Sequence, residues 1–169
     1  TEEQKQRYLP KLASGEWLAA YALTEPQAGS DALAAKTRAT LSADGKTYRL
    51  TGTKQFITNA GFADVFTVFA KIDGDKFTAF IVERDTPGLT VSRHLEKMGL
   101  RTSPMAEVVF DNCRVPVNQR LGREGRGVAV FECSMEWERG CILASCLGVM
   151  ERQLEECLAH ARTRKQFGK

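Results

Sequence analysis

Short strands separated by turn residues occupy the chain from about residue 17 to residue 112, and this pattern limits the folds that are open to it. Apolar residues run together or alternate with polar ones in six segments: 17–23, 36–41, 47–57, 65–71, 77–82 and 107–110. Turn residues separate them at Asp44-Gly45, Asp73-Gly74-Asp75 and Pro87-Gly88. Strands at this spacing predict a compact antiparallel β-barrel or sandwich of about a hundred residues.

The two ends of the chain have helical patterns instead. Thr1 to Ala13 carries a short apolar stripe and stops at Ser14-Gly15. No proline occurs from Val128 to Arg164, and apolar residues recur there at spacings of three and four: Leu143, Leu147, Met150, Leu154, Cys157 and Ala161. This spacing predicts one long helix over 128–164, with an apolar face that needs other helices.

Together these patterns predict an α+β protein in which an antiparallel β-barrel or sandwich is flanked by helical-bundle segments. We expect three parts: 1–16 as the end of a helical domain, 17–122 as a β domain, and 123–169 as the first long helix of a second helical domain. Because the flanking helices lack partners within the 169 residues, we expect the chain to be a fragment of a longer protein.

Charge and cysteine content argue against several classes of function. The net charge of +3 is small and Lys and Arg are interspersed with acids, so we expect no nucleic-acid partner. No apolar run approaches the length of a transmembrane helix, about 20 residues. Five cysteines without a C-x-x-C pair predict reduced, buried thiols and no metal site. We therefore expect a cytoplasmic protein, or one of the mitochondrial matrix in a eukaryote.

The segment 22–34, ALTEPQAGSDALA, is the first candidate site. Pro26 fixes its own φ and keeps Glu25 out of the helical region, while Gly29 permits close approach of a ligand to the backbone. An irregular loop with hydroxyl and free N–H groups at a strand end is suited to hold a phosphate or a polar heterocycle. On the residues alone, an ordinary turn capped by Asp31 is the alternative interpretation.

Four segments resemble one known family. The string Leu-Thr-Glu-x-x-x-Gly-Ser-Asp at 23–31 resembles a signature of the acyl-CoA dehydrogenases, as does GTKQFITNAG at 52–61. KMGLRTSPMAEVVFDNCRVP at 97–116 is a third similar block, with a structural role, and the R-x-x-F-G string at 164–168 is a fourth. The resemblance covers essentially the whole chain.

This resemblance implies a bound FAD. The positions matching Thr24 and Thr58 hydrogen-bond the flavin in that family, and the aromatic residue matching Phe56 packs against it. Arg164 matches an arginine that reaches the FAD pyrophosphate of a neighbouring subunit. From the strand pattern alone, Phe56 in the domain core is the alternative. The FAD-binding residues implied in full are Tyr21, Leu23, Thr24, Gly29, Ser30, Phe56, Ile57, Thr58 and Arg164.

The resemblance also implies a substrate pocket and a base. Ser30, Glu136 and Arg139 match residues that line the acyl-CoA pocket, and the three-residue spacing of Glu136 and Arg139 predicts an ion pair. Glu138 matches the catalytic glutamate of one branch of the family, which includes isovaleryl-CoA and long-chain acyl-CoA dehydrogenases. The alternative for Glu138 is a solvated or Arg-paired helix carboxylate. A glutamate beyond residue 169 also stays open as the base.

The implied activity is FAD-dependent α,β-dehydrogenation of an acyl-CoA thioester, with a proton leaving Cα and a hydride passing from Cβ to flavin N5. The implied electron acceptor is an electron-transfer flavoprotein or oxygen, and the implied assembly is a homo-oligomer, a dimer or tetramer. Two alternatives remain: a dehydrogenase or oxidase of the same fold acting on acyl-carrier-protein thioesters, and a noncatalytic flavin-binding scaffold.

Overall fold

The computed structural model describes residues 1–168, which fall into two compact units, Thr1–Val130 and the residues from Phe131 onward. The first unit begins with helix α1 (Glu2–Ser14), which a capping box starts: Gln4 N donates to the Thr1 hydroxyl, and the Thr1 amino group donates to Gln4 Oε1. Gln4 Nε2 then donates to the carbonyls of Asn118 and Arg120, 2.8 and 3.0 Å away. These bonds attach α1 to the β domain.

Among the described residues, eight strands form one sheet. Their bounds are β1 (Ala19–Ala22), β2 (Arg38–Leu41), β3 (Thr47–Thr58), β4 (Val65–Ile72), β5 (Lys76–Glu83), β6 (Leu89–Val91), β7 (Met105–Pro116) and β8 (Arg120–Leu121). Hydrogen-bonded neighbours run in the order β6-β7-β3-β2-β4-β5-β8, and β1 pairs with β4 off this path. The hairpins β2–β3 and β4–β5 are those that the turn residues predict.

The sheet is mixed. Strand β4 pairs in parallel with β1, where Ala19 lies opposite Val65, and with β2, where Arg38 lies opposite Lys71. The remaining pairs in the described sheet are antiparallel. Hairpin turns identify partners only for consecutive strands, and both parallel pairs join strands that are distant in sequence. The predicted α+β fold class is confirmed, with the correction that the sheet contains parallel pairs.

The core of the first unit is built mainly from β3, β4, β5 and β7. The aromatic rings of Tyr48 and Phe80 meet edge to face with centroids 5.1 Å apart, and both side chains are fully buried. Burying side chains of this size stabilises a domain by roughly 1.5–3 kcal/mol each. Two charged residues of the first unit, Glu25 and Lys54, are also buried.

Helices α2 (Gly127–Cys141) and α3 (Ala144–Thr163) replace the single long helix predicted over 128–164, so that prediction is wrong. At the interruption Leu143 has a ψ of −2°, far from the −42° typical of a helix. Gly140, just before it, is about 1 kcal/mol less favourable in a helix than alanine. The apolar spacing continues across the interruption, so the spacing alone does not predict where the helix breaks. No helix among residues 1–168 is both long and apolar enough to cross a membrane.

The cysteines differ from the prediction of buried thiols. Cys113 is buried on β7, whereas Cys133, Cys141, Cys146 and Cys157 are exposed on α2 and α3 of the described chain. The earlier expectation holds only for Cys113, because apolar spacing on α2 and α3 does not by itself bring a covering surface.

Burial raises the pKa of the Cys113 thiol to about 11, from an ordinary value of 9.0. This difference alone lowers the thiolate fraction at pH 8 about a hundredfold. We expect the native full-length protein and its Cys113→Ala variant to show the same number of thiols that react with Ellman's reagent at pH 8. In guanidinium chloride the counts should differ by one. A difference of one in the native state would contradict the burial of Cys113.

Candidate functional site

The loop after β1 is built around the buried carboxylate of Glu25. Oε2 accepts hydrogen bonds from Lys36 N (2.6 Å) and Gln27 Nε2 (2.8 Å). Oε1 accepts from the N–H and the hydroxyl of Thr37, at 3.0 and 2.5 Å. Reciprocal backbone bonds between Glu25 and Ala28 close the turn. The loop is therefore shaped by an internal carboxylate, and Asp31 makes no capping hydrogen bond of the kind that the alternative interpretation requires.

Lys54 connects this loop to β3. Its Nζ lies 2.8 Å from Glu25 Oε1 and donates to the Leu23 carbonyl at 3.0 Å, and neither charged side chain is more than 1% exposed. Burial by itself would raise the pKa of Glu25, but hydrogen bonds from Lys54, Thr37 and Lys36 hold that pKa below its usual range. Burial lowers the pKa of Lys54, and the Glu25 carboxylate opposes that change.

Strand β3 bulges directly after Lys54. In the ladder with β7, Lys54 pairs with Val108 but Ile57 pairs with Ala106, so the register shifts between them. Within the bulge Phe56 has a φ of 59°, and its side chain is 55% exposed. The interpretation of Phe56 as a core residue is therefore wrong. Ile57 is buried, and its carbonyl accepts a hydrogen bond from Ala60 N at 3.3 Å.

The loop and the bulge are neighbours, because Gln55 N donates to the Thr24 carbonyl at 2.8 Å. Within residues 1–168, no side-chain hydrogen bond engages the hydroxyls of Thr24, Ser30 or Thr58. Gly29 is exposed, and a Cβ built on it would meet nothing within 4 Å. The arrangement offers an exposed aromatic ring beside free hydroxyl donors, which suits a planar ligand with a polar edge.

The other predicted residues of the first unit lie close by in sequence. Tyr21, on β1, is 36% exposed and packs its ring against Phe69, with centroids 5.3 Å apart. Leu23 and Thr24 follow β1 and are half-buried. Thr58 ends β3, opposite Met105 of β7.

The predicted residues of the second unit lie on or after its helices. Glu136 and Arg139 line one concave surface of α2, together with Phe131, Glu132 and Met135. Among the described residues no ion pair joins Glu136 to Arg139, so the pair predicted from their spacing does not form. Glu138 is exposed and does not belong to that lining. Arg164 directly follows α3, and its side chain is exposed.

The sequence motifs do not reveal the buried network of Glu25, Thr37 and Lys54. One signal was available: Lys54 has the same strand parity as Tyr48 and Leu50, which point into the core. A lysine at an inward position requires a buried acceptor. The acceptor could not be identified, because Glu25 lies 29 residues earlier in the chain.

Residues 20–113 match the family described as "Acyl-CoA dehydrogenase, middle domain", and residues 125–169 match "Acyl-CoA dehydrogenase, C-terminal domain". The chain belongs to the acyl-CoA dehydrogenase family. The family predicted from the motifs is thereby confirmed. The first match ends at residue 113, and the second begins at residue 125, within the glycine-containing junction at 122–127.

Individual family members are similar over the whole chain. It is 52% identical to L-prolyl-[peptidyl-carrier protein] dehydrogenase of Pseudomonas fluorescens, covering 100% of this chain and 45% of that protein. The crystal structure of the prolyl acyl carrier protein oxidase AnaB is 50% identical, with a TM-score of 0.92, and 45% of its chain is covered. The acyl-CoA dehydrogenase of Bacillus anthracis complexed with FAD is 46% identical, with a TM-score of 0.91, and 30% of its chain is covered. The chain thus spans less than half the length of these family members.

Proposed function

We propose that the full-length protein is an FAD-dependent enzyme that dehydrogenates an acyl thioester between Cα and Cβ. The observation that carries this proposal is the exposed ring of Phe56 beside the Thr24 loop, whose hydroxyl donors are free. The FAD complex of the Bacillus anthracis relative supports FAD as the ligand. FAD, when bound, supplies the acceptor for a hydride from the substrate.

In this proposal, residues of both units of the chain bind FAD. Phe56 packs against the flavin, and Thr24 and Thr58 donate hydrogen bonds to its polar groups, with Tyr21, Leu23, Gly29, Ser30 and Ile57 completing the contact. Arg164, with a planar fork of donors that stays charged, binds the FAD pyrophosphate of a second subunit in a homo-oligomer. Such donors stabilise negative charge on a ligand without having to reorganise.

Three of the proposed substrate residues, Glu136, Glu138 and Arg139, lie on α2, and the fourth, Ser30, lies in the loop after β1. Glu138 removes the proton α to the thioester carbonyl, while Ser30, Glu136 and Arg139 line the acyl pocket. A carboxylate is a stronger base toward such a carbon where apolar contacts exclude water from it. We expect the bound substrate to supply that apolar contact.

The thioester carrier has two candidates. Acyl-CoA is the substrate implied by the family motifs. A prolyl thioester on a carrier protein is the second candidate, because the Pseudomonas fluorescens relative and AnaB both act on such thioesters by name. The phosphopantetheine arm is common to both carriers, so the residues that bind it do not separate them. The electron acceptor is an electron-transfer flavoprotein, or oxygen for an oxidase.

The decisive experiment is an anaerobic titration of the full-length protein, reconstituted with FAD, while its visible absorbance is followed. We expect a thioester substrate to bleach the flavin band stoichiometrically. Acyl-CoA thioesters of increasing length and a prolyl-loaded carrier protein are compared under the same conditions. The free acids serve as controls, since they lack the activated α proton and should leave the band unchanged.

Each result of that titration has a distinct meaning. Bleaching by acyl-CoA alone selects the first candidate, and bleaching by the prolyl carrier protein alone selects the second. Bound FAD that no thioester bleaches would favour a noncatalytic scaffold. Protein that cannot be loaded with FAD would refute the proposed binding roles of Thr24, Phe56 and Thr58.

A further inference from the structure

The buried ion pair of Glu25 and Lys54 has no place in the proposed chemistry, although it lies directly under the site. Its two side chains are at most 1% exposed, so neither reaches a ligand on the surface. The Glu25 carboxylate accepts five hydrogen bonds, from Gln27, Lys36, Thr37 (two bonds) and Lys54. A buried pair with this many partners is fixed in one geometry.

The pair joins the two segments that supply the exposed groups. Lys54 Nζ bonds both Glu25 and the Leu23 carbonyl, and so holds the residues on either side of Thr24. The next residue of β3, Gln55, donates its N–H to the Thr24 carbonyl. Phe56 follows directly. The buried Glu25–Lys54 pair thereby positions both Thr24 and Phe56.

The hydrogen bonds of the β3–β7 ladder do not hold Phe56 in position. Between Lys54 and Ile57 the ladder with β7 is interrupted by the bulge, and Phe56 has a left-handed φ of 59°. Such a conformation is costly for a phenylalanine and persists only where the surrounding structure fixes it. Lys54 is the last residue of β3 paired with β7 before the interruption, and the ion pair anchors it to the loop.

We propose that Glu25 and Lys54 act as a positioning pair that sets the distance between the Thr24 hydroxyl and the Phe56 ring, and thereby the affinity and electronic environment of bound FAD. This inference rests on the proposed function. Neither residue touches the cofactor; both act through the backbone of residues 23, 24 and 56.

The test compares Lys54→Met with Val115→Ala in the full-length protein. Val115 is buried in the core on β7, so its variant controls for lost stability in the same sheet. We expect Lys54→Met to raise the FAD dissociation constant about tenfold or more, the effect of losing one hydrogen bond to a ligand. It should also shift the absorption maximum and the midpoint potential of bound FAD. At a comparable fall in Tm, Val115→Ala should change the FAD dissociation constant by no more than about twofold. It should leave the absorption maximum and the midpoint potential of bound FAD unshifted.

If Lys54→Met does not fold, the uncharged pair Glu25→Gln/Lys54→Met is measured against the same control and the same expectations. A variant whose FAD affinity, spectrum and potential match those of Val115→Ala at equal Tm would overturn the positioning role. A wild-type protein that binds no FAD would overturn the proposed function and this inference with it. Wild-type binding with an unaltered variant overturns this inference alone.

Discussion

Replacing Glu138 with glutamine in the full-length protein should lower the turnover number by about 10²–10⁴, the range that a general base contributes. Glutamine keeps the size of the side chain and removes its ability to accept a proton. FAD affinity should stay unchanged, because Glu138 is not among the residues proposed to bind the cofactor. Single-turnover bleaching of the flavin by substrate measures the chemical step directly, free of product release.

The matched control is Glu136→Gln, two residues earlier on α2. Successive residues of a helix are 100° apart, so Glu136 and Glu138 project about 160° apart around the axis. Glu136 lines the same concave surface as Arg139, whereas Glu138 does not. Because the two carboxylates lie on opposite sides of α2, comparing the two variants decides which of them faces the substrate and takes the α proton. We expect Glu136→Gln to act mainly on KM.

Three outcomes of this comparison would change the assignment of the base. Loss of the chemical step in Glu136→Gln but not in Glu138→Gln would make Glu136 the base. Normal bleaching rates in both variants would place the base outside α2, as in the alternative of a glutamate beyond residue 169. A loss of FAD from Glu138→Gln would indicate a structural effect.

Local chemistry explains which parts of the fold the sequence predicts. The hairpins β2–β3 and β4–β5 follow from turn residues and strand alternation that lie next to each other in the chain. The parallel pairing of β1 and β2 with β4 depends on contacts made after the chain has folded back, which no neighbouring residues encode. The interruption at Leu143 is likewise invisible, because apolar spacing continues through it.

Some features of the candidate site can likewise be predicted from the sequence, and others cannot. Motif strings identify the Thr24 loop and the Phe56 strand as one site, and the structure brings these two segments together. The outward turn of Phe56 comes from a bulge against β7, and the Glu25–Lys54 pair joins residues 29 positions apart. Both features depend on partners distant in sequence, which the motif strings do not identify.

Replacing Gly52 with alanine should destabilise the protein by about 3 kcal/mol or more, through overpacking and the loss of a buried hydrogen bond. A Cβ built on Gly52 would lie against the Thr37 hydroxyl and 2.8 Å from both Cα and Cβ of Thr37. Thr37 cannot withdraw, because its N–H and its hydroxyl are both bonded to the buried Glu25 carboxylate. The backbone of Gly52, with φ of 156°, is also one that residues with a side chain rarely adopt.

Gly74→Ala is the matched control, because this turn glycine also has a positive φ, 88°, but a Cβ there would meet nothing within 4 Å. Backbone strain alone should cost about 1 kcal/mol at Gly74, so the excess at Gly52 measures the contact with Thr37 together with any greater strain at its φ of 156°. Urea unfolding of the full-length apoprotein, followed by circular dichroism, gives both values where the transition is two-state. Equal losses in the two variants would mean that Thr37 yields easily and that the Glu25 network tolerates displacement. A larger loss at Gly52, accompanied by weaker FAD binding, would tie the stability of that network to the site above it.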